Sequence, residues 1–111
     1  MDASLAFYRA LGLQFVEERH GTGPVHYSTR VGSTVLEIYP GENATPLDRI
    51  SSGATMLGFG VTSLDSAVAA VQTLGSQIVT SPRDSTWGRR AVVLDPDGRA
   101  IEISEPKEVH A

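Results

Sequence analysis

DASLAFYRALGLQFV, residues 2–16, and DSAVAAVQTLGSQIV, residues 65–79, are two versions of one segment. Laid over one another without a gap, they share Asp2/Asp65, Ala6/Ala69, Leu11/Leu74, Gly12/Gly75, Gln14/Gln77 and Val16/Val79. Met1, Leu5, Tyr8 and Leu11, like Leu64, Val68, Val71 and Leu74, fall at i, i+4, i+7 and i+10, one apolar stripe of an α-helix. The expected N-caps are Asp2 and Asp65, whose carboxylates suit the free N–H groups of a first helical turn. Gly12 and Gly75 stand where a helix end needs positive φ.

Working outward, each helix is followed by strand-like sequence. Leu13–Glu18, Val25–Val31 and Thr34–Tyr39 are expected in the first copy, the last two joined by a turn at Gly32. The second copy offers Gln77–Thr80, halted by Ser81-Pro82, then Arg90–Leu94 and Ala100–Ser104. The last two are joined by Asp95-Pro96-Asp97-Gly98, in which Pro presets φ and Gly takes the left-handed position. Ahead of the second helix, Leu57, Phe59 and Val61 alternate with Met56, Gly58 and Gly60 as in a strand, which the first copy lacks. The expectation is an α+β fold of two βαβββ-type modules, the first without its leading strand. Module one is residues 1–39, a turn-rich linker or flap 40–53, module two 54–106 and a tail 107–111.

At 111 residues the chain has the length of one small domain. A net charge of −4 provides no basic face for a phosphate backbone, so nucleic acid is not an expected partner. Without cysteine there are no disulfides, thiolate nucleophiles or cysteine metal sites. The longest strictly apolar run, Ala67 to Val71, is far too short to span a membrane, and residues 1–13 lack the pattern of a signal peptide. The expected location is the cytoplasm, and the Asn43-Ala44-Thr45 sequon is read as chance.

The tandem unit, with FYRALGL closing its first helix, LEIYP, STWGRRAVVLDPDGRAIEI and a closing Pro, resembles the vicinal oxygen chelate superfamily of glyoxalase I, bleomycin-resistance proteins and extradiol dioxygenases. The resemblance spans residues 2–106, and Asp95-Pro96-Asp97-Gly98 followed by Ile101-Glu102-Ile103 is its most specific part. It implies curved mixed sheets enclosing a cavity, with helices on the outer face. Metal-dependent members place a ligand on the first and last strand of each module, which carries over to Glu37, Glu102 and Met56, the fourth position falling on the absent strand. A thioether suits these hard or borderline ions poorly, and two carboxylates alone make a weak site. No cofactor is therefore expected, and a divalent metal at Glu37 and Glu102 is the alternative.

Alternation assigns the cavity face. If Leu36 and Ile38 pack under a helix, Val35, Glu37 and Tyr39 face inward; Glu102 and Ser104 oppose Ile101 and Ile103. Val25, Tyr27 and Val31 suit the helix side, which leaves His26, Ser28 and Arg30 inward. The expected ligand-binding residues are His26, Arg30, Glu37, Tyr39, Met56, Trp87 and Glu102. Arg30 is expected to pair with Glu37 across the hairpin, whereas His20 and His110 are read as solvated. These residues favour a bleomycin-resistance-like binder that sequesters a small organic molecule between modules, with a metal-dependent glyoxalase-like lyase or isomerase, or a dioxygenase, as the alternative. The missing strand leaves an unpaired edge, for which homodimerisation is the expected remedy.

Overall fold

In the computed structural model, residues 1–40, 56–86 and 88–107 are described. The expected linker beyond Pro40 and the tail beyond Lys107 lie outside them. Two compact units divide the chain, Met1–Thr45 and Pro46–Ala111. The first contains α1 (Asp2–Ala10), β1 (Val16–Glu18), β2 (His26–Val31) and β3 (Thr34–Ile38). The second contains β4 (Leu57–Gly60), α2 (Leu64–Thr73), β5 (Ile78–Ser85), β6 (Gly88–Leu94) and β7 (Ala100–Pro106). The α+β repeat expected from the sequence is therefore present: helix and three strands in the first unit, strand, helix and three strands in the second.

Both helices end alike. The Gly12 N–H donates to the Arg9 carbonyl at 2.9 Å and the Leu13 N–H reaches back to Tyr8 at 3.3 Å, while Gly75 and Ser76 donate to Gln72 and Val71 at 2.9 and 3.0 Å. This paired closure needs a left-handed residue, supplied by Gly12 at φ 96° and Gly75 at φ 94°. It also explains why the first strand begins at Val16 rather than Leu13: the Leu13 amide still serves the helix.

The helix starts differ from expectation. Asp2 and Asp65 lie inside the first turns, and the N-cap positions are Met1 and Ser63. The Ser63 hydroxyl accepts from the Ser66 N–H at 3.3 Å. Asp65 is thereby free to accept from Arg89 Nη1 at 2.9 Å, and still benefits from the positive helix end. A second carboxylate serves that end from another strand, since Glu105 Oε1 accepts from the Leu64 N–H at 2.9 Å.

In the first unit the sheet order is β1-β2-β3, antiparallel throughout. Leu5, Phe7, Tyr8 and Leu11 are buried, with the Phe7 and Tyr8 rings edge to face at 4.9 Å. The second unit has the order β4-β7-β6-β5, in which β4 runs parallel to β7 and the rest are antiparallel. Its register places Ala91 opposite Ile103 and Val93 opposite Ile101. Those four side chains are fully buried, as are Leu64 and Val71 of α2, which packs on β5, β6 and β7.

Pro82 does not end its strand. β5 runs through it as the sheet's edge, with register shifts between Ile78 and Thr80 and between Thr80 and Arg83. A proline lacking an N–H is tolerated at an edge or bulge, where no ladder bond is lost. Among the described residues, no helix is long and apolar enough to cross a membrane.

Candidate functional site

The first unit's sheet register decides which side chains meet. Glu18 lies opposite His26, Ser28 opposite Glu37, and Arg30 opposite Val35. Directly paired residues share a face, so Val16, Glu18, His26, Ser28, Arg30, Val35 and Glu37 form one surface, in agreement with the alternation argument. Tyr27 faces the other way, with the Arg9 guanidinium 5.9 Å over its ring. Thr29, rather than Val31 at the hairpin end, is buried on that side.

His26 is the centre of this surface and is only 1% exposed. Its ring stacks on Tyr39, centroids 4.3 Å apart and planes 14° from parallel. Nδ1 lies 3.3 Å from the Pro24 carbonyl oxygen. Nε2 sits 3.5 Å from Glu18 Oε2 and 3.4 Å from Glu37 Oε2, yet makes no hydrogen bond. The Tyr39 hydroxyl donates to Glu37 Oε2 at 2.9 Å. That hydrogen bond, reinforced by desolvation and by the charges of Glu37 and Glu18, holds the Tyr39 pKa above the ordinary phenol value.

The structure thus unites His26, Glu37 and Tyr39. Arg30 shares their face, but the expected pair with Glu37 is not formed: the register sets Arg30 against Val35, and Glu37 turns to His26 and Tyr39. Among the described residues no ion pair engages Arg30. Glu18 and His20 were missed by sequence reasoning. The His20 Nε2 lies 3.3 Å from Glu18 Oε2, and one ligand atom from each of Glu18, His20 and His26 falls within 4.8 Å of the others. The signal was the spacing E-x-H followed by a second His across a hairpin, decipherable only once Glu18 is known to pair with His26.

Beside this cluster runs a groove of about 560 Å³, lined by Leu13, Gln14, Val16, Ser28, Arg30 and Val35 among others. In the second unit, Glu102 Oε1 lies 3.2 Å from Arg90 Nε, and Gly58 is its register partner on β4. Met56 is exposed just ahead of β4, and Trp87 lies outside the described residues.

Comparison with known proteins gives this architecture its family. The model of the Glyoxalase/Bleomycin resistance protein/Dioxygenase superfamily matches residues 1–103. The chain belongs to that superfamily. A protein of Mycolicibacterium smegmatis is 29% identical over 106 residues, covering 96% of this chain and 84% of its own length. A glyoxalase/bleomycin resistance protein/dioxygenase family enzyme from Burkholderia phytofirmans has the same fold, with a TM-score of 0.70 at 20% identity over 96% of this chain and 90% of that one. So does TnmS3, an antibiotic-binding protein from a Streptomyces species, with a TM-score of 0.59 at 20% identity over 95% and 84% of the two chains.

Superfamily members usually bind a metal, and the positions carried over for its ligands do not suit one here. Glu102 already faces the Arg90 guanidinium, whose charge opposes a cation at that carboxylate. Met56 offers a thioether, and Glu37 accepts from Tyr39. No reaction step follows from such a donor set.

Proposed function

We propose that this superfamily member binds a small organic molecule in the groove of its first unit and holds it without converting it. The observation that carries this reading is the groove itself. Its volume of about 560 Å³ is of drug-ligand size, and its walls combine apolar Leu13, Val16 and Val35 with polar Gln14 and Ser28 and the guanidinium of Arg30. A guanidinium engaged by no ion pair among the described residues is suited to a carboxylate or another anionic group on the ligand. Tyr39, half-exposed where it stacks on the buried His26, adds aromatic surface. Sequestration asks only for affinity, which fits the poor donor set at Glu37, Glu102 and Met56. The fold shared with the antibiotic-binding TnmS3 supports the reading.

The test is calorimetric titration with bleomycin and with a panel of aromatic carboxylates, after thermal-shift screening. Saturable binding by an aromatic carboxylate is expected, weakened about tenfold or more in Arg30→Ala, the equivalent of losing a charged hydrogen bond. Absence of saturable binding across the panel refutes the reading. Chemical conversion of a bound compound, dependent on added metal, would instead favour a glyoxalase-like lyase or isomerase, or a dioxygenase.

We further propose that the protein is a homodimer in the cytoplasm. β3 pairs with β2 on one side, and among the described residues no strand pairs with its other edge; its counterpart β7 has β4 there. A second copy of the chain is the partner that fits such an edge. A cysteine-free chain needs no oxidising compartment to fold.

A further inference from the structure

We propose that Glu18, His20 and His26, at the loop end of the β1–β2 hairpin, form a binding site for one divalent transition-metal ion, zinc by the chemistry of its donors. Its three donors are not the ligand positions carried over for the superfamily, of which Glu37 alone lies beside them, and the site does not rest on the ligand-binding reading. It also departs from the sequence expectation of no cofactor.

The first ground is an unsatisfied atom. His26 Nε2 is buried, makes no hydrogen bond and points between two carboxylate oxygens. In the tautomer that donates from Nδ1 to the Pro24 carbonyl oxygen, 3.3 Å away, Nε2 presents its lone pair toward Glu18 and Glu37, and a cation between them relieves the repulsion. A backbone carbonyl on the far nitrogen is also how metal-bound imidazoles are oriented.

The second ground is spacing. Donors about 2.0–2.1 Å from a tetrahedral zinc ion lie about 3.3–3.4 Å from one another. The contacts here are 3.3 Å for His20 Nε2 to Glu18 Oε2, 3.5 Å for His26 Nε2 to the same oxygen, and 3.4 Å for His26 Nε2 to Glu37 Oε2. Two imidazoles and a carboxylate, with Glu37 beside them, suit zinc and its neighbours in the first transition row rather than calcium or magnesium.

The third ground is that the loop holds the exposed donor, His20, in place. Gly21 takes φ 58°, the Gly23 N–H donates to the His20 carbonyl at 3.0 Å, and Arg19 Nε donates to the Gly23 carbonyl at 3.0 Å. This turn brings the His20 ring to 5.0 Å from that of His26. His20 is 74% exposed, which gives an ion a path in from solvent.

The experiment uses the tag-free full-length chain, stripped with chelator and titrated with Zn2+, and with Co2+ as a spectroscopic probe of geometry. One ion per chain is expected, with the intense visible absorption of low-coordinate Co2+ displaced by Zn2+. Affinity should fall at least about tenfold in His20→Ala and in Glu18→Gln, whose exposed or half-exposed side chains carry little of the fold. His26→Gln should abolish retention, and Glu102→Gln should leave it unchanged. Lack of stoichiometric binding overturns the proposal, as does binding that survives undiminished in both His20→Ala and Glu18→Gln. Loss in Glu102→Gln also overturns it, since the ion would then sit at the superfamily's positions.

Discussion

Asp95 shows how much one side chain settles in a chain of this size. Its carboxylate is buried, and Oδ1 accepts from the Asp97 and Arg99 amides at 3.0 and 2.9 Å while Oδ2 faces Arg99 Nη1 at 3.3 Å. The Gly98 N–H closes the turn on the Asp95 carbonyl, and Gly98 takes φ 91°. Burial works against the Arg99 cation, but its bonds to Asp97 and Asp95 outweigh this and hold its pKa above the usual arginine value. Asp95→Ala strands two amides and should cost about 1–3 kcal/mol in urea unfolding. Asp95→Asn keeps an oxygen for both amides and should cost less than the alanine variant. Equal losses would show that charge, not amide capping, matters at this site. The turn was legible because its chemistry is local: proline and glycine fix the backbone whatever surrounds them. The Glu18, His20 and His26 cluster was not, because it arises from strand register, and no local signal in residues 18–26 states which residue of β2 lies opposite Glu18.

Among whole elements, the repeat made both helices and the closing hairpin readable, since identical residues recur at identical structural tasks. Gly12 and Gly75 performed as expected, whereas the caps assigned to Asp2 and Asp65 slipped. An acidic residue favours any position in the first turn, so its presence marks a helix start only to within a residue or two. Ser63 shows the difference: it has the extended backbone of a cap, φ −137° and ψ 109°, and its hydroxyl accepts from Ser66. Ser63→Ala should destabilise the protein by about 1 kcal/mol, and Ser63→Asp should restore most of the loss. An Asp65→Ala loss larger than that of Ser63→Ala in the same denaturation series would mean that the Arg89 pair outweighs the cap, contrary to the small worth of exposed ion pairs. β5 was misread for a different reason. Pro82 is a stop signal in a central strand, and only the sheet order reveals that β5 is an edge.

At the scale of the whole molecule, the second unit has one strand more than the first among the described residues, and the proposed homodimer rests on that difference. β7 is flanked by β4 and β6, whereas β3 is flanked by β2 alone among the described residues. Alternate backbone groups along Thr34–Ile38 therefore point away from β2, and an antiparallel or parallel strand from a second copy would satisfy them. Each copy carries a formal charge of −4, so association works against mutual repulsion that salt screens. The proposed homodimer should accordingly be favoured by raising ionic strength from about 0.01 M to 0.15 M, the range over which the screening length falls from about 30 to 8 Å. Native mass spectrometry and sedimentation at low micromolar concentration should show a dimer that dissociates on dilution. Hydrogen exchange should slow in β3 as concentration rises, while amides of β6, already bonded on both sides, stay unchanged. A monomer at every concentration and salt, with β3 amides exchanging at one fixed rate, would mean that the edge needs no second chain.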